Sequence, residues 1–237
     1  MALTGKRIVV VGGTSGIGLA TAHAASAAGA QVTVIGRDPA RLSQLAKDNP
    51  GWRVACADIT DADAIETIFA DEARIDHLFI SAGTIIIEPA TGAMDRLRAP
   101  FEERVFGLLH VVRAAMPRFA PDGSFTATTG DLVQRPHPML AAVAAAAAAV
   151  ETLCKTFVQE FAPIRFNVVS PGAVDTPLMA GLLGEEGRQA MLADQATKVP
   201  IRRIGSADEI AALVLSIMQN GYLNGAVIPI DGGLHAT

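Results

Sequence analysis

The sequence is short of cysteine and of clustered positive charge. Its two cysteines, Cys56 and Cys154, lie far apart without the spacing of a metal site, so we expect two core thiols in a reducing cytoplasm and no metal ion. The 19 lysines and arginines form no run, and the formal net charge at pH 7 is -5. Neither a nucleic acid nor an anionic membrane surface is therefore an expected partner.

The sequence also lacks an apolar run long enough to cross a bilayer. The longest run, Met139 to Val150, is mostly alanine and is much shorter than the ~20 residues that a membrane span needs. Met1 to Lys6 lead directly into an apolar strand and leave no room for a signal peptide. We expect a cytoplasmic protein without a membrane partner, and we interpret the alanine-rich run as a packed helix.

What the sequence has is a regular alternation of short strand-like runs with longer stretches rich in alanine, leucine and glutamate. Because parallel neighbours need helical crossovers, this order predicts one domain over residues 1–237. We expect an α/β, doubly wound Rossmann-type fold with a seven-stranded parallel sheet and helices on both faces. The predicted strands are Ile8 to Val11, Gln31 to Ile35, Arg53 to Ala57, His77 to Ile80, Ser124 to Thr128, Arg165 to Val169 and Ala226 to Ile230. The predicted helices are Ile17 to Ala28, Ala62 to Ala73, Phe101 to Phe119, Ala141 to Phe161 and Ala207 to Gln219.

A glycine-rich turn joins the first predicted strand to the first predicted helix. Gly12, Gly16 and Gly18 let the backbone turn sharply and approach a pyrophosphate, whose charge meets free amides and the positive end of the helix dipole. Thr14 and Ser15 add hydroxyl donors to the same turn. The motif predicts a dinucleotide site, and a tight turn without a ligand is the alternative.

The end of the second strand indicates which dinucleotide is bound. NAD sites typically carry an aspartate or glutamate about 20 residues after the glycine turn, where it binds the ribose hydroxyls. Here Gly36 leaves space, and Arg37 offers a planar fork of donors to a 2′-phosphate. The sequence favours NADP(H) over NAD(H), unless Arg37 is an exposed side chain that caps a loop.

From Gly5 to Gly233, several motifs in order resemble those of the short-chain dehydrogenase/reductase family. After the glycine turn, Asp58 matches the acid that touches adenine, and Ser81-Ala82-Gly83 resembles an Asn-Asn-Ala-Gly segment. The run from Pro171 to Thr176 is similar to the nicotinamide-side loop of that family, and Ile230-Asp231-Gly232-Gly233 resembles its last strand and turn.

The resemblance implies NADP(H) as cofactor and assigns two roles in the nicotinamide-side loop. Val174 would bind the carboxamide through its backbone and Thr176 through its hydroxyl, although Thr176 and Asp58 could each simply cap a loop. The full set of predicted cofactor-binding residues is Gly12, Thr14, Ser15, Gly16, Ile17, Gly18, Arg37, Asp58, Ile59, Ser81, Ala82, Gly83, Pro171, Gly172, Val174 and Thr176.

The catalytic residues of that family are missing here. Its active members use a tyrosine, a lysine four residues later, a preceding serine and an asparagine in the helix before. The matched register puts Val143 at the tyrosine, Ala147 at the lysine, Gly130 at the serine and Arg104 at the asparagine position. The only tyrosine is Tyr222, so a shifted register does not restore the set. The proton donor, worth typically ~10² to 10⁴ in rate, is therefore absent.

Two polar residues lie nearest to the vacated positions and are our candidate catalytic residues. Arg104 is suited to stabilising negative charge or holding a cofactor phosphate. Asp131 follows a predicted strand at its carboxyl end, where open α/β sheets bind ligands, and could pair with a cationic substrate or with Arg104. A purely structural Arg104–Asp131 salt bridge is the alternative. His137, between two prolines, is a further candidate proton donor or a plain loop residue.

Our functional hypothesis is an atypical NADPH-dependent oxidoreductase that transfers hydride to an imine, enone or activated carbonyl without a tyrosine–lysine acid. A protonated imine is already electrophilic, and an enone needs only its developing enolate stabilised. The alternative is a non-catalytic NADP(H)-binding sensor or scaffold subunit. A third hypothesis is isomerisation, elimination or cyclisation with the dinucleotide as a structural ligand.

Two further segments are expected around the small-molecule substrate. Residues Leu178 to Val199 carry three glycines and are predicted to form a substrate loop. The alanine tract Ala144 to Ala149 either packs at a subunit interface, as the resemblance implies, or leaves space for a bulkier substrate. Because the mean hydropathy of +0.35 also indicates covered apolar surface, we expect a homodimer or homotetramer.

Overall fold

The central element of the structure is a seven-stranded parallel sheet. The computed structural model describes residues 3–237, so Met1 and Ala2 of the predicted signal-free N-terminus lie outside the described residues. The strands are β1 (Arg7–Val11), β2 (Gln31–Gly36), β3 (Arg53–Cys56), β4 (Ile75–Ile80), β5 (Phe119–Thr128), β6 (Arg165–Pro171), β7 (Val174–Asp175), β8 (Gly205–Ser206) and β9 (Val227–Ile230). Their order in the large sheet is β3-β2-β1-β4-β5-β6-β9, and the short strands β7 and β8 pair separately.

Helices cover both faces of the sheet, which confirms the predicted doubly wound α/β fold. The α-helices are α1 (Gly16–Ala27), α2 (Pro39–Asp48), α3 (Ala62–Ala70), α4 (Met94–Phe101), α5 (Gly107–Ala115), α6 (Ala141–Glu160), α7 (Pro177–Lys198) and α8 (Ala207–Gln219). One hydrophobic cluster joins the sheet to α1 and α8, and a second joins it to α3, α5 and α6.

Strand β1 shows why the sheet is buried on both sides. Ile8 and Val10 belong to one hydrophobic cluster, whereas Val9 and Val11 belong to the other. Successive side chains of a strand point to opposite faces, so an unbroken apolar run is what a central parallel strand requires. The neighbours of β1 are β2 and β4, both in parallel register.

The order of the strands creates a crevice at the carboxyl ends of β1 and β4. The chain passes from β1 to β2 and β3 on one side of the sheet, and from β4 to β5 and β6 on the other. Loops that leave two adjacent strands in opposite directions separate, and open α/β sheets bind ligands at this switch point. Gly12 follows β1 and Ser81 follows β4, so the two predicted cofactor segments meet there.

The predicted helix Phe101 to Phe119 is wrong at both ends. The helical path begins at Met94, passes through a π-helical segment at Glu102–Phe106 and continues as α5 to Ala115. Phe119 is already the first residue of β5. Pro117 ends the α-helical hydrogen bonding because it has no amide hydrogen to donate, and a short 3₁₀ turn follows over Met116–Arg118. Helix α2 was also missed by the sequence pattern.

The predicted substrate loop at 178–199 is largely helical. Pro177 occupies the first turn of α7, a position that proline tolerates well, and many of the following residue types favour helices. The glycines do not break the segment into a loop, although Gly184 has a φ of 71° and kinks it. The expectation of a loop was therefore wrong, while its position over the crevice stays relevant to the site.

The prediction of two core thiols is wrong for one of the cysteines. Cys154 is buried in α6, but Cys56 is exposed because it ends β3, the strand at the edge of the sheet. The alanine-rich run lies in α6, which packs one face onto the sheet through residues such as Val150 and Phe157. By length and composition α6 could also cross a membrane, and 39% of its most apolar window is buried.

Candidate functional site

The glycine turn is packed too closely for side chains. Gly12 has a φ of 84°, and a Cβ on it would lie 2.6 Å from the backbone nitrogen of Ala82. A Cβ on Gly18 would overlap the carbonyl oxygen of Gly12. The turn and the segment after β4 therefore form a surface of bare backbone at the amino end of α1. Such a surface suits the close approach of a pyrophosphate.

Two hydroxyl groups beside this surface have no capping role. Ser15 and Thr176 are the N-cap residues of α1 and α7, and neither side chain accepts a hydrogen bond from its helix. A Cβ on Gly16 would lie 3.3 Å from Cβ of Thr176, so the glycine turn and the predicted nicotinamide-side loop are in contact. The fold thus unites segments that are far apart in sequence.

The first of two adjoining cavities lies between the ends of β2, β3 and β4 and has a volume of about 550 Å³. It is lined by Thr14, Arg37, Asp58, Ile59 and the segment Ser81 to Gly83, all of them predicted cofactor-binding positions. We name it the adenosine pocket. The end of β2 is tight, since a Cβ on Gly36 would lie 2.5 Å from Cγ2 of Thr14.

Asp58 uses one carboxylate oxygen within its own loop. Its Oδ1 accepts hydrogen bonds from the Thr60 amide at 2.9 Å and from the Thr60 hydroxyl at 2.7 Å. The amide hydrogen bond is the largest cause that lowers the pKa of Asp58, so the side chain stays ionised. The contacts support a loop-capping role, and the position on the pocket wall is compatible with a second contact to adenine.

The second cavity, the substrate pocket, has a volume of about 650 Å³ and opens beside the glycine turn. Its walls include the predicted positions Gly12, Ser15, Gly16, Ile17, Pro171, Gly172, Val174 and Thr176. Val143 and Ala147 form part of another wall and are only 2% and 3% exposed. The helix α6 thus presents two apolar side chains to the cavity, at the positions where the resemblance implied a tyrosine and a lysine.

Arg104 lies in the wall of the substrate pocket with most of its donors unused. Its Nη2 donates to the carbonyl oxygen of Thr84 at 3.1 Å, but its buried Nε has no acceptor among the described residues. The guanidinium packs against Gly83, where a Cβ would lie 2.9 Å from Cζ. Burial lowers the pKa of Arg104, which nevertheless remains a cation in proteins.

Asp131 lies in the same pocket, at the start of a short 3₁₀ helix after β5. Burial, and next the negative charge of Asp231, raise the pKa of Asp131. Within residues 3–237, Asp131 forms no ion pair, so the Arg104–Asp131 salt bridge that stood as the structural alternative is not formed. One cavity therefore holds a cation and an anion that are not paired with each other.

Other residues of the substrate pocket were missed by sequence reasoning. Ile85 and Ile87 line it, and the apolar run after Ser81-Ala82-Gly83 is a signal that could have been noticed. Arg135 donates to the carbonyl oxygen of Leu234 at 2.6 Å and so fixes the C-terminal segment against the cavity. No sequence pattern indicated that contact.

His137 lies outside the interior of the substrate pocket. His137 is exposed at the rim of the substrate pocket, where its Nδ1 lies 2.7 Å from the carbonyl oxygen of Pro138. Its geometry is that of a loop residue. Among the described residues there is no cluster of histidine, cysteine, aspartate or glutamate that could hold a metal ion.

The residues at these cavities fit an extended dinucleotide. The two cavities share Gly12, Ser15, Ser81 and Gly83, so one ligand can run from the adenosine pocket across the glycine turn into the substrate pocket. The cradle at the turn is formed by backbone that a Cβ would fill. Arg37 stands at one end and the predicted nicotinamide-side loop at the other.

Comparisons with known proteins agree with this geometry. A family model described as enoyl-(acyl carrier protein) reductase matches residues 11–235. The short-chain dehydrogenase/reductase ucsE of Acremonium sp is 34% identical over 253 residues, which cover 96% of this chain and 94% of that protein.

Two solved structures share the fold over nearly their whole length. The MalC reductase/Diels-Alderase from Malbranchea aurantiaca superimposes with a TM-score of 0.91 at 26% identity, covering 100% of this chain and 98% of that one. A small-chain dehydrogenase in complex with NADPH has a TM-score of 0.84 at 27% identity, with 98% and 100% covered.

Proposed function

We propose that this chain, which belongs to the short-chain dehydrogenase/reductase family of oxidoreductases, uses NADPH to reduce an activated small-molecule acceptor. We infer that this acceptor is an iminium ion. NADPH supplies the hydride when bound. Arg37 in the adenosine pocket and a structural neighbour that binds NADPH support the choice of cofactor. Ser15 and Thr176 would hold the phosphates and the carboxamide through their free hydroxyls.

Asp131 is the observation that carries the proposal. An ionised carboxylate in a cavity with apolar walls is destabilised unless a cation pairs with it. Asp131 forms no ion pair within 4.0 Å among the described residues, and Arg135, which lines the same pocket, acts on its charge only from a longer distance. An iminium ion would supply the missing charge, whereas a neutral ketone would not. Electrostatic attraction is stronger where apolar walls exclude water, so the pair would also orient the acceptor.

The residues at the vacated positions support an acceptor other than a neutral carbonyl. Val143 and Ala147 carry no ionisable group, and Gly130 carries no side chain at all. Nothing at these positions can donate a proton to a developing alkoxide. An iminium ion becomes a neutral amine on accepting hydride, so its reduction needs no proton donor.

The experiment is NADPH consumption with a matched pair of substrates, a cyclic iminium salt and the ketone of the same ring size. The wild type should oxidise NADPH with the iminium salt and not with the ketone. Asp131→Asn should lower kcat/KM for the iminium salt by roughly 30-fold, the equivalent of ~2 kcal/mol for a lost charge pair. Asp63→Asn, an exposed carboxylate outside both cavities, is the control. Equal rates for both substrates would contradict the proposal.

An enone is the second candidate acceptor, and the unused donors of Arg104 favour it. Arg104 lines the pocket, and its Nη1 donates no hydrogen bond to the described residues, so the guanidinium can donate to the oxygen on which enolate charge develops. The description of the matching family model also names the reduction of a carbon–carbon double bond. Arg104→Met should lower enone turnover and spare iminium turnover, whereas Asp131→Asn should do the opposite.

Binding without turnover would favour the other two hypotheses. A sensor or scaffold subunit should bind NADPH and change its assembly with the cofactor, without consuming NADPH in the presence of any acceptor. A cyclisation should form product without NADPH consumption, and one structural neighbour is described as both a reductase and a Diels-Alderase. Both cofactor oxidation and product formation should therefore be measured.

We also propose that the chain assembles as a homodimer or homotetramer. The outward face of α6 is a stripe of small side chains that includes the exposed Ala141 and Ala145, and Phe106 is 49% exposed on the neighbouring helical segment. Such surface supports close helix packing between copies. Light scattering coupled to size-exclusion chromatography measures the assembly, and a monomer at micromolar concentration would contradict it.

A further inference from the structure

Glu103 is an acidic residue of the adenosine pocket that sequence reasoning overlooked. It lies in the π-helical segment between α4 and α5, immediately before Arg104, and its side chain reaches the pocket wall. The cofactor-selecting position at the end of β2 carries Arg37 and no acid. A carboxylate nevertheless reaches the same pocket from a helix on the other side of the crevice.

The position of the Glu103 carboxylate is fixed by Thr84. Its Oε2 accepts hydrogen bonds from the Thr84 amide at 2.7 Å and from the Thr84 hydroxyl at 2.6 Å. The side chain of Glu103 is only 18% exposed, whereas that of Arg37 is 63% exposed. The carboxylate is thus the more firmly held member of this pair of charges, and the guanidinium is the more exposed member.

The other oxygen of Glu103 faces Arg37 without a hydrogen bond. Its Oε1 lies 3.7 Å from Nη1 of Arg37, and it accepts no hydrogen bond from the described residues. At this distance the two groups attract each other, but the carboxylate does not fix the orientation of the guanidinium. Arg37 can therefore turn toward another anion in the pocket.

We propose that the Glu103 carboxylate competes with a 2′-phosphate for Arg37. Glu103 thereby weakens the binding of NADP(H) and reduces the preference of the pocket for NADP(H) over NAD(H). The inference rests on the proposed function only for the binding of NADP(H). A 2′-phosphate that pairs with Arg37 lies near the fixed carboxylate and is repelled by it. A 2′-hydroxyl carries no charge, and it can donate to the free Oε1.

The remaining charges of the pocket leave Arg37 as the main cation for the phosphate. Arg41 also lines the pocket, but its Nε lies 3.3 Å from Oδ2 of Asp38 and is partly neutralised. Asp58 adds a second negative charge to the wall. Since the pocket contains three carboxylates and two guanidiniums, removing one negative charge should change phosphate binding measurably.

The experiment compares Glu103→Gln with the wild type by calorimetric titration of NADPH and NADH. The glutamine keeps a carbonyl oxygen for Thr84 and removes the charge. The Kd for NADPH should fall about two- to fivefold, the range expected for a partly exposed charge pair, and the Kd for NADH should stay constant or rise. At 1 M salt the change for NADPH should shrink, because the Debye length is then only about 3 Å.

Glu102→Gln is the matched control, because Glu102 is the exposed neighbour of the same charge and lies outside both cavities. Titration with 2′-AMP and 5′-AMP isolates the adenosine pocket, so any disturbance passed through Thr84 to Arg104 does not affect the result. A change of the 2′-AMP affinity alone supports the inference. An unchanged ratio of the NADPH and NADH affinities, or the same change in Glu102→Gln, would overturn it. If the wild type binds neither dinucleotide, the proposed function fails as well.

Discussion

Each end of the sheet holds a deeply placed arginine, and the two arginines differ in how many hydrogen bonds they donate. Arg165, at the amino end of β6, donates to three carbonyl oxygens at the end of α8 and in the following loop, at 3.1, 3.0 and 2.9 Å. Arg104, beyond the carboxyl ends of the strands, makes one hydrogen bond to Thr84 and leaves its Nε unpaired. The guanidinium of Arg165 therefore has its hydrogen bonds made within the fold, whereas that of Arg104 keeps unused donors.

The carboxylates of the two ends differ in the same way. Asp76, at the amino end of β4, accepts hydrogen bonds from the Arg7 amide and from the side chains of Lys6 and Arg74. Asp131, in the substrate pocket, forms no ion pair within the described residues. Polar groups at the amino end are thus held by several partners within the fold, whereas Arg104 and Asp131 at the carboxyl end have few. Five substitutions test this difference between the two ends of the sheet.

The largest effect is expected from Arg165→Met. The substitution leaves the carbonyl oxygens of Ile217 and Met218 without their donor in a buried region, so it should destabilise the fold by about 3–5 kcal/mol. Urea unfolding measures the change. Arg118→Met removes an exposed arginine with a single carbonyl contact and should cost less than ~1 kcal/mol. Similar losses in both variants would remove the distinction between paired and surface arginines.

The second effect is acid sensitivity from His77, which is buried at the amino end with its Nδ1 2.8 Å from the Ser124 hydroxyl. Burial lowers the pKa of His77 from 6.5 to about 4. The unfolded chain therefore binds this proton more readily than the folded protein. The contribution of neutral His77 to the free energy of unfolding is complete above pH 6.5, and it falls by roughly 3 kcal/mol as the pH falls toward 4.

His77→Asn should remove that part of the pH dependence, although it lowers stability at pH 7. The measurement is the slope of unfolding free energy between about pH 6.5 and 4.5, the window in which the unfolded chain is protonated first. The control is His137→Asn, since His137 is exposed and should leave the slope unchanged. A wild-type slope in the His77 variant would show that other groups cause the acid sensitivity.

Arg104→Met is the direct counterpart of Arg165→Met and should have a much smaller effect on stability. Replacing a buried, poorly paired charge by an apolar side chain is commonly neutral or stabilising, so we expect a change within about 1 kcal/mol. The same urea unfolding measurement applies. A loss as large as that of Arg165→Met would show that Arg104 is a structural residue.

The smallest effect is expected from Asp131→Asn. The pKa of Asp131 is raised by burial, so the folded protein takes up this proton more readily than the unfolded chain. The ionised carboxylate then destabilises the fold at neutral pH, and the penalty disappears as the pH falls below the ordinary carboxyl range. The asparagine side chain is not charged, so the substitution should stabilise the protein by up to about 1 kcal/mol at pH 7 and by nothing near pH 3.

Asp76→Asn gives the opposite sign and completes the comparison. The asparagine keeps a carbonyl acceptor but loses the charge that Lys6 and Arg74 contact, so stability at pH 7 should fall. Thermal unfolding of both variants at pH 7 is sufficient. Destabilisation by both substitutions would contradict a division between the two ends of the sheet.

Much of the fold follows from local sequence. The seven main strands were predicted because each is a short apolar run, and the central ones are buried on both faces, as Ile8 to Val11 illustrate. The ends of the helices were less predictable. The segment Phe101–Phe119 contains strong helix formers up to Pro117, but α5 ends at Ala115 and Phe119 already belongs to β5. The segment at 178–199 was misjudged because three glycines outweighed its many helix-forming residues in the pattern.

The local sequence specified the glycine turn and the apolar side chains at the positions where the resemblance implies a tyrosine and a lysine. Both depend on the order of residues along the chain, and Val143 and Ala147 line the substrate pocket in the structure. Two relations depend on the tertiary structure: Arg104 and Asp131 are not paired with each other, and Oε1 of Glu103 lies 3.7 Å from Nη1 of Arg37. These relations join segments from separate crossovers, and their distances depend on how the helices pack against the sheet, which no local pattern specifies.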